Sequence, residues 1–91
     1  MQFAWSGRKR AGNTKDHGLD FADAPCVFDG FTFTYEDSRF AYGGQRFETL
    51  GLPAGVPVSI VHMETADEIR IISFRKATKR EANLYFLQVQ D

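Results

Sequence analysis

The clearest alternation of apolar and polar residues lies between positions 31 and 36. Aromatic residues occupy the odd positions from Phe31 to Tyr35, and Thr or Glu occupies the even ones. This period of two predicts a strand with one face in contact with water. Three further runs rich in β-branched and aromatic residues, over 45–52, 56–64 and 67–74, are separated by short turns. The short connections favour an antiparallel meander of four strands.

A strand and a polar helix are predicted before this meander. The strand is Phe3–Trp5, and Ser6 follows it as an N-cap. The helix then runs over about 7–16, and Gly18 provides the residue that ends it. Because this helix is mostly polar, we expect most of its surface to contact solvent.

Two more helices are predicted, one on each side of the meander. The first runs from an Asp20 cap to about Phe28, although Pro25 inside it lacks a backbone donor and tends to kink a helix. The second begins at Thr78 to Glu81, whose T-x-x-E sequence has the form of a capping box. Apolar residues then recur at helical spacing and should pack on the sheet. These residues are Ala82, Tyr85, Phe86 and Val89.

This order of elements predicts an α+β fold. We expect a four-stranded antiparallel sheet with an additional short N-terminal strand, two N-terminal helices and one C-terminal helix. A chain of 91 residues has room for one domain, over 1–91, which should bury roughly 60 to 65% of the surface that its unfolded chain exposes. Nine Phe, three Tyr and one Trp suit such a small core, since each ring can bury ~150 to 250 Å².

The cellular compartment is indicated by the cysteine count and by the apolar runs. Cys26 is the single cysteine, so no internal disulfide can form. The first residues lack the basic and then apolar pattern of a signal peptide. No apolar run approaches the ~18 residues that span a bilayer. We therefore expect a cytoplasmic protein that does not contact a membrane.

Positive charge is segregated along the chain, although the formal net charge is only −1. Ten acidic residues lie between Asp16 and Glu68, and none lies between Ile69 and Arg80. Segregated positive charge is typical of proteins that bind phosphates or carboxylates. We call the C-terminal cluster the basic block, and it consists of Arg70, Arg75, Lys76, Lys79 and Arg80. An N-terminal cluster contains Arg8, Lys9, Arg10 and Lys15.

The capping box gives the basic block a candidate function. Lys79 and Arg80 fall in the first turn of the C-terminal helix, where the helix dipole already favours negative charge. A helix start with free amides and nearby cations is suited to bind an anion such as phosphate. The alternative is that both are long, solvated side chains tolerated at a surface.

Arg70 interrupts an apolar run on a strand that should be well buried. Burying a guanidinium without a partner is expensive, so Arg70 must be paired or line a cleft. The alternative to a binding site is a salt bridge to an acid on a neighbouring strand surface: Glu48, Glu64 or Glu68. A twist or bulge decides whether Arg75 joins Arg70 on the same face.

His17 and His62 are the side chains that titrate near neutrality. His62 lies in the middle of a predicted strand, where a hydrogen-bonded structural histidine is the ordinary interpretation, and His17 ends a helix, where its charge interacts favourably with the dipole. The two histidines form no metal motif, and neither Ser73 nor Cys26 belongs to a nucleophile signature. The chemistry indicated is therefore acid–base catalysis beside cations, with no cofactor.

The chain resembles the BrnT family, the toxins of BrnT/BrnA type II toxin–antitoxin pairs. The N-terminal residues resemble W-x-x-x-K-x-x-x-N-x-x-K-H-G-x-x-F-x-x-A, from Trp5 to Ala24, with Asp16 at the position of the second Lys, and Asp37 and Arg39 agree as well. The most specific part is Arg70 to Thr78, which follows R-I-I-S-x-R-[RK]-A-[TS]. Departures from the family pattern are Ser6 and Gly7 at the helix start, Asp16 before the histidine, and Pro25.

The resemblance implies a RelE-like fold and a ribonuclease that arrests translation. It also implies a BrnA antitoxin that blocks the toxin and carries a ribbon-helix-helix DNA-binding domain, so that the complex represses its own operon. The expected reaction is metal-free cleavage, with attack by the ribose 2′-hydroxyl. A non-catalytic module that binds nucleic acid or an acidic protein is an alternative. A third possibility is a purely structural partner whose cations pair with its own acidic residues or with those of another subunit.

Ten residues are the candidates for catalysis and RNA binding. For the reaction itself, Arg70 and Arg75 would grip the scissile phosphate with help from Arg46, and His17 or His62 would be the general base or acid. Lys76 and Arg80 would guide flanking phosphates, and Tyr85 would stack or donate a hydrogen bond. The N-terminal cluster would add Lys9 and Lys15.

Overall fold

The computed structural model describes residues 1–38 and 43–89, so that Arg39 of the family pattern lies outside the described residues. Two turns of 3-10 helix, Phe21–Asp23 and Pro53–Gly55, accompany the main elements. The helices are α1 (Gly7–His17), α2 (Ala24–Phe28) and α3 (Lys79–Val89). The strands are β1 (Gln2–Trp5), β2 (Phe33–Glu36), β3 (Phe47–Gly51), β4 (Val58–Glu64) and β5 (Glu68–Lys76).

The α+β class is confirmed, but the predicted four-stranded antiparallel sheet was wrong. The described strands form a five-stranded mixed sheet in the order β1-β5-β4-β3-β2. β1 is an integral edge strand that pairs with β5 in parallel, from Gln2 opposite Glu68 to Trp5 opposite Ile71. The other neighbouring pairs are antiparallel. The partner of a four-residue strand is decided by packing and not by its own alternation, so the sequence did not reveal this parallel pair.

The predicted second N-terminal helix was also wrong as a continuous element. Asp20 does act as a cap, because its Oδ1 accepts a hydrogen bond from the Ala22 N–H at 3.0 Å. The turn that it caps is a 3-10 turn, and α2 then spans only five residues with Pro25 at its start. Proline is tolerated in the first turn of a helix, where its missing N–H has no intrahelical partner, but not in the interior.

The ends of α1 follow the prediction closely. The Ser6 Oγ accepts a hydrogen bond from the Lys9 N–H at 3.3 Å. Gly18 ends the helix with a φ of 70°, a left-handed conformation that favours glycine. Arg10, from the N-terminal cluster, donates to both Asp20 carboxylate oxygens at 2.7 and 3.0 Å. Arg10 therefore has a structural role in joining α1 to the turn that follows it.

The core lies on the face of the sheet that contacts α1 and α2. Its buried residues come from all parts of the chain: Phe21, Ala24, Val27, Val58, Ile60, Ile69, Ile71 and Phe74. On α3, Tyr85 is buried as predicted, whereas Phe86 is 47% exposed, so the prediction that Phe86 packs on the sheet was wrong. α3 contacts β2 and β3 on the sheet face opposite to this core.

A bulge in β5 decides the relation between Arg70 and Arg75. In the β4–β5 register, His62 pairs with Ile71 and Val61 pairs with Ser73, so that Ile72 has no opposite residue. Ile71 and Phe74 consequently both face the core although they are three positions apart. Arg70 and Arg75 both project from the other face, at register positions four β4 residues apart, or roughly 13 Å.

Candidate active site

An open cleft of about 1080 Å³ lies between α3 and the sheet face that carries Arg75. We call it the α3 cleft. Its charged lining residues, among those that the structure describes, are Glu36, Asp37, Glu48, Arg75, Lys79, Arg80 and Glu81. The cleft therefore combines acidic and basic groups, although these groups are segregated along the sequence.

Arg75 is held between two carboxyl groups at the base of α3. Its Nη1 donates to Glu81 Oε1 at 2.8 Å, and its Nη2 donates to Glu81 Oε2 at 2.9 Å. Nη2 also lies 3.7 Å from Glu48 Oε2. Paired bonds between a planar guanidinium and a carboxylate are strong and directional. The guanidinium is therefore fixed in position while a quarter of the Arg75 side chain is exposed.

Glu48 is the most deeply buried acid of the α3 cleft, with 2% of its surface exposed. Ser59 Oγ donates to Glu48 Oε2 at 2.5 Å, and Tyr35 also hydrogen-bonds to this carboxyl group. Burial raises the pKa of Glu48, and the hydrogen bond and negative charge of Glu81 raise it further. The bonds from Ser59 and Tyr35 act in the opposite direction. Glu48 therefore takes up a proton more readily than an exposed glutamate.

Glu81 has the opposite preference. Burial by itself would raise its pKa, but the hydrogen bonds from Arg75, Glu48 and the Thr78 N–H hold the pKa well below its usual range. The predicted capping box is confirmed, because Thr78 N–H donates to Glu81 Oε1 at 2.9 Å and Glu81 N–H donates to Thr78 Oγ1 at 3.2 Å. Two neighbouring carboxyl groups with divergent pKa values are typical of sites that transfer protons.

The α3 cleft brings together only part of the predicted site. Arg75 and Arg80 line it. Arg46 lies just before β3 and accepts a backbone hydrogen bond from the lining residue Asp37 at 2.8 Å. Arg70 projects from the same sheet face but is exposed and does not line the cleft, and Lys76 is exposed at the end of β5.

The candidate residues of α1 lie elsewhere on the molecule. Lys9, Lys15 and His17 are exposed on this helix, which packs against β5. None of the three lines the α3 cleft. The N-terminal cluster and the basic block consequently do not merge into one continuous lining of the cleft.

His62 lies in the core, with none of its surface exposed. Its Nε2 is 2.7 Å from Thr49 Oγ1, which is itself 2.7 Å from Thr34 Oγ1. The rings of Phe28 and Phe47 pack against the imidazole, with centroids 5.3 and 5.9 Å away. Burial lowers the pKa of His62 to about 4. The histidine is therefore neutral at pH 7.

Tyr85 is buried and uses its hydroxyl group within the fold. The hydroxyl donates to the carbonyl oxygen of Phe31 at 3.0 Å. The ring lines a second, smaller cavity of about 290 Å³ together with Cys26 and Leu52. Tyr85 thus joins α3 to the segment before β2, and it does not line the α3 cleft.

Sequence reasoning missed Glu48, Tyr35 and Ser59 as members of a polar cluster, and it treated Glu81 only as a helix cap. Glu48 entered only as a possible salt-bridge partner of Arg70. A carboxyl group between Phe47 and Leu50 on a predicted strand was the available signal, because such a group is costly to bury without partners. Cross-strand register, which the sequence does not show, brings these partners together.

The described residues contain no group of three or more His, Cys, Asp or Glu residues placed to hold a metal ion. Within 1–38 and 43–89, the helices are too short and too polar for any of them to cross a bilayer.

The fold and the cleft together define an α+β protein with a carboxyl–arginine site. Residues 5–81 match the family model described as "Ribonuclease toxin, BrnT, of type II toxin-antitoxin system". This match covers most of the chain, so the chain belongs to the BrnT toxin family, as the resemblance indicated. A comparison with curated proteins gives no match. Family membership implies a ribonuclease toxin with an RNA substrate and an antitoxin protein as partner.

Proposed function

We propose that the chain is an endoribonuclease that cuts RNA in the α3 cleft without a metal ion, by attack of the ribose 2′-hydroxyl on the adjacent phosphate. The observation that carries this proposal is Arg75, fixed between Glu48 and Glu81 in the wall of an open cleft. Such cleavage needs a base for the hydroxyl proton and a cation for the charge that develops at the phosphate. The α3 cleft holds both kinds of group within hydrogen-bonding range of one another.

The remaining cations would contact RNA on either side of the cut. In this proposal Arg75 and Arg80 face the scissile phosphate, because both line the cleft. Arg46, Arg70 and Lys76 guide the flanking phosphates, and Lys9, Lys15 and His17 bind RNA that passes α1. We assign no RNA contact to His62 or Tyr85, because both are buried and hydrogen-bonded within the fold.

Cleavage of a labelled single-stranded RNA in the presence of EDTA tests this function. We expect products that end in a 2′,3′-cyclic phosphate, and no cleavage of a substrate with a 2′-deoxyribose at the cut. Arg75→Ala and Arg80→Ala should each reduce the rate by about 10-fold or more, since each removes a charge from the site. Arg8→Ala, an exposed residue of α1 that does not line the cleft, is the matched control.

Two outcomes would contradict the proposal. If the folded wild-type chain binds RNA in a salt-sensitive manner but cuts none, the chain is a binding module. If Arg75→Ala and Arg80→Ala remain folded and cut as fast as Arg8→Ala, the α3 cleft is not the site of the reaction. Circular dichroism of each variant separates a loss of activity from a loss of folding.

The proposed partner is a BrnA-like antitoxin that neutralises the toxin in the cytoplasm and represses their shared operon through its own DNA-binding domain. Expression of the chain alone should stop growth, and co-expression of the adjacent small gene should restore it. A reporter fused to the operon promoter should be repressed by the pair. Unaffected growth with soluble, folded chain would count against a toxin that acts on cellular RNA.

A further inference from the structure

Glu48 combines burial with access to the α3 cleft. It is almost fully buried and yet contributes to the wall of the α3 cleft. Its Oε2 receives the hydrogen bond from Ser59 and lies beside Arg75 Nη2. Hydrogen bonds of this kind fix the orientation of the carboxyl group before a substrate arrives, as catalysis by proton transfer requires.

Glu81 supplies the second part of the arrangement. It binds both Nη atoms of Arg75, and it also contacts the carboxyl group of Glu48. Two carboxyl groups in contact do not ionise with equal ease, and the one paired with the cation keeps the negative charge. The guanidinium therefore neutralises Glu81 chiefly, and Glu48 is left as the carboxyl group with greater affinity for a proton.

From these contacts we infer that Glu48 is the general base of the ribonuclease reaction, and that Glu81 and Arg75 are the residues that position it. This inference rests on the proposed function. Glu48 accepts the proton of the ribose 2′-hydroxyl as O2′ forms a bond to phosphorus. The bond from phosphorus to O5′ breaks, and O5′ takes a proton from water. A 2′,3′-cyclic phosphate and a 5′-hydroxyl result, and Glu48 returns its proton to the solvent.

The dependence of kcat/KM on pH tests the role of Glu48. In the wild type, kcat/KM should fall on the acidic side as Glu48 becomes protonated. Glu48→Gln keeps the shape of the side chain and removes the base, so it should lower kcat by about 100-fold or more, leave KM within a few-fold, and abolish this acidic limb. Thermal unfolding and circular dichroism establish that the variant is folded.

The positioning role of Glu81 is tested by a measurement that the loss of helix capping alone would not affect. Glu81→Gln removes the negative charge next to Glu48, so the acidic limb should move to lower pH. Thr78→Ala weakens the same capping box but keeps the Glu81 carboxylate, so it should lower the melting temperature and leave the limb in place. This pair of variants separates electrostatic positioning from helix stabilisation.

Two results would contradict the inference. If folded Glu48→Gln cuts RNA within about 3-fold of the wild type and keeps the acidic limb, Glu48 is not the base. If Glu81→Gln and Thr78→Ala have the same pH profile, Glu81 acts as a cap alone. Either result, obtained with a wild-type chain that cuts RNA, leaves the proposed function standing. A folded wild-type chain with no cleavage at any pH refutes the proposed function itself.

Discussion

The side chain of Asn13 pairs with the backbone of Phe74, which lies 61 residues later in the chain. Asn13 Nδ2 donates to the Phe74 carbonyl oxygen at 2.7 Å, and Asn13 Oδ1 accepts from the Phe74 N–H at 3.0 Å. β1 pairs with β5 only as far as Ile71, so beyond Ile71 the β1 side of β5 has no strand partner among the described residues. The buried amide takes the place of the next strand residue and connects α1 to the residue that precedes Arg75.

Asn13→Ala should destabilise the chain by about 2 to 4 kcal/mol. The substitution leaves a buried N–H and a buried carbonyl without their partner, and each such group costs roughly 1 to 3 kcal/mol. The free energy of unfolding from urea titration is the measurement. The neighbouring Thr14→Ala, at an exposed position, should change this free energy by less than about 0.5 kcal/mol. Equal effects of the two substitutions would show that the Asn13 bonds contribute nothing.

His62 should make the chain less stable in mild acid. Its pKa is about 4 in the folded chain and about 6.5 when unfolded, so below pH 6.5 the unfolded state binds more protons. The contribution of the neutral His62 to the free energy of unfolding is therefore fully present above about pH 6.5. It is lost as the pH falls towards 4, by roughly 3 kcal/mol in total. Urea titrations of the wild type and of His62→Gln between pH 7 and 4 measure this effect.

The comparison with His62→Gln isolates this histidine from the carboxyl groups that also titrate in acid. The wild type should lose more stability than the variant over this range of pH. Parallel pH profiles, or an NMR titration of the His62 ring near pH 6.5, would be inconsistent with a buried neutral imidazole.

Glu48→Gln should stabilise the chain at high pH. The pKa of Glu48 is raised above its ordinary value of 4.5 in the folded chain. The contribution of Glu48 to the free energy of unfolding is therefore most favourable below pH 4.5 and is lost as the pH rises through the folded pKa. Gln cannot ionise, so it avoids this loss. The melting temperature of the variant should exceed that of the wild type at pH 8, by about 4 to 8 °C for each 1 kcal/mol.

The same comparison at pH 4.5 is the control. At pH 4.5 a larger fraction of Glu48 is protonated in both the folded and the unfolded state than at pH 8. The difference in melting temperature between the variant and the wild type should therefore be smaller. A variant that melts below the wild type at pH 8 would show that the Glu48 carboxylate is stabilising as an ion. A more stable and less active variant would instead show the cost in stability of a buried catalytic carboxylate.

Gly51→Ala should destabilise the contact between β3 and α2. A Cβ atom at Gly51 would lie 2.5 Å from Val27 Cγ1, which requires movement of a core residue. Overpacking of this kind costs typically about 1 to 3 kcal/mol. Gly12→Ala is the matched control, because a Cβ at this position of α1 meets no atom within 4 Å. It should stabilise the chain by about 0.5 to 1 kcal/mol through improved helix propensity.

Features that depend on residues close together in the chain were predictable from the sequence. The helix caps at Ser6 and Thr78 and the stop at Gly18 were predictable, because a cap depends on residues within one turn. The strands from β2 to β5 were recognisable from their alternation and turns, with boundaries within a few residues of those observed. The parallel pairing of β1 was not, because it joins segments more than 60 residues apart.

The candidate site was predictable only in part for a related reason. The sequence identified the basic block and the family pattern, and Arg75 and Arg80 do line the α3 cleft. It did not identify Glu48 as the partner of Ser59, because the two residues meet through the register of β3 and β4. His62 could not be separated from an active-site histidine by sequence, because its burial depends on rings from α2 and β3.

The sequence alone determined the strands β2 to β5, the helices α1 and α3, the position of the capping box and the concentration of cations near it, since periodicity, caps and charge are local properties. Only the tertiary structure decided that the bulge at Ile72 places Arg70 and Arg75 on one face, and that Arg75 meets Glu48 and Glu81. The reason is that strand register and desolvation arise between residues far apart in the chain. Arg75 of the basic block therefore meets an acidic pair, and this pair gives the cleft its chemistry.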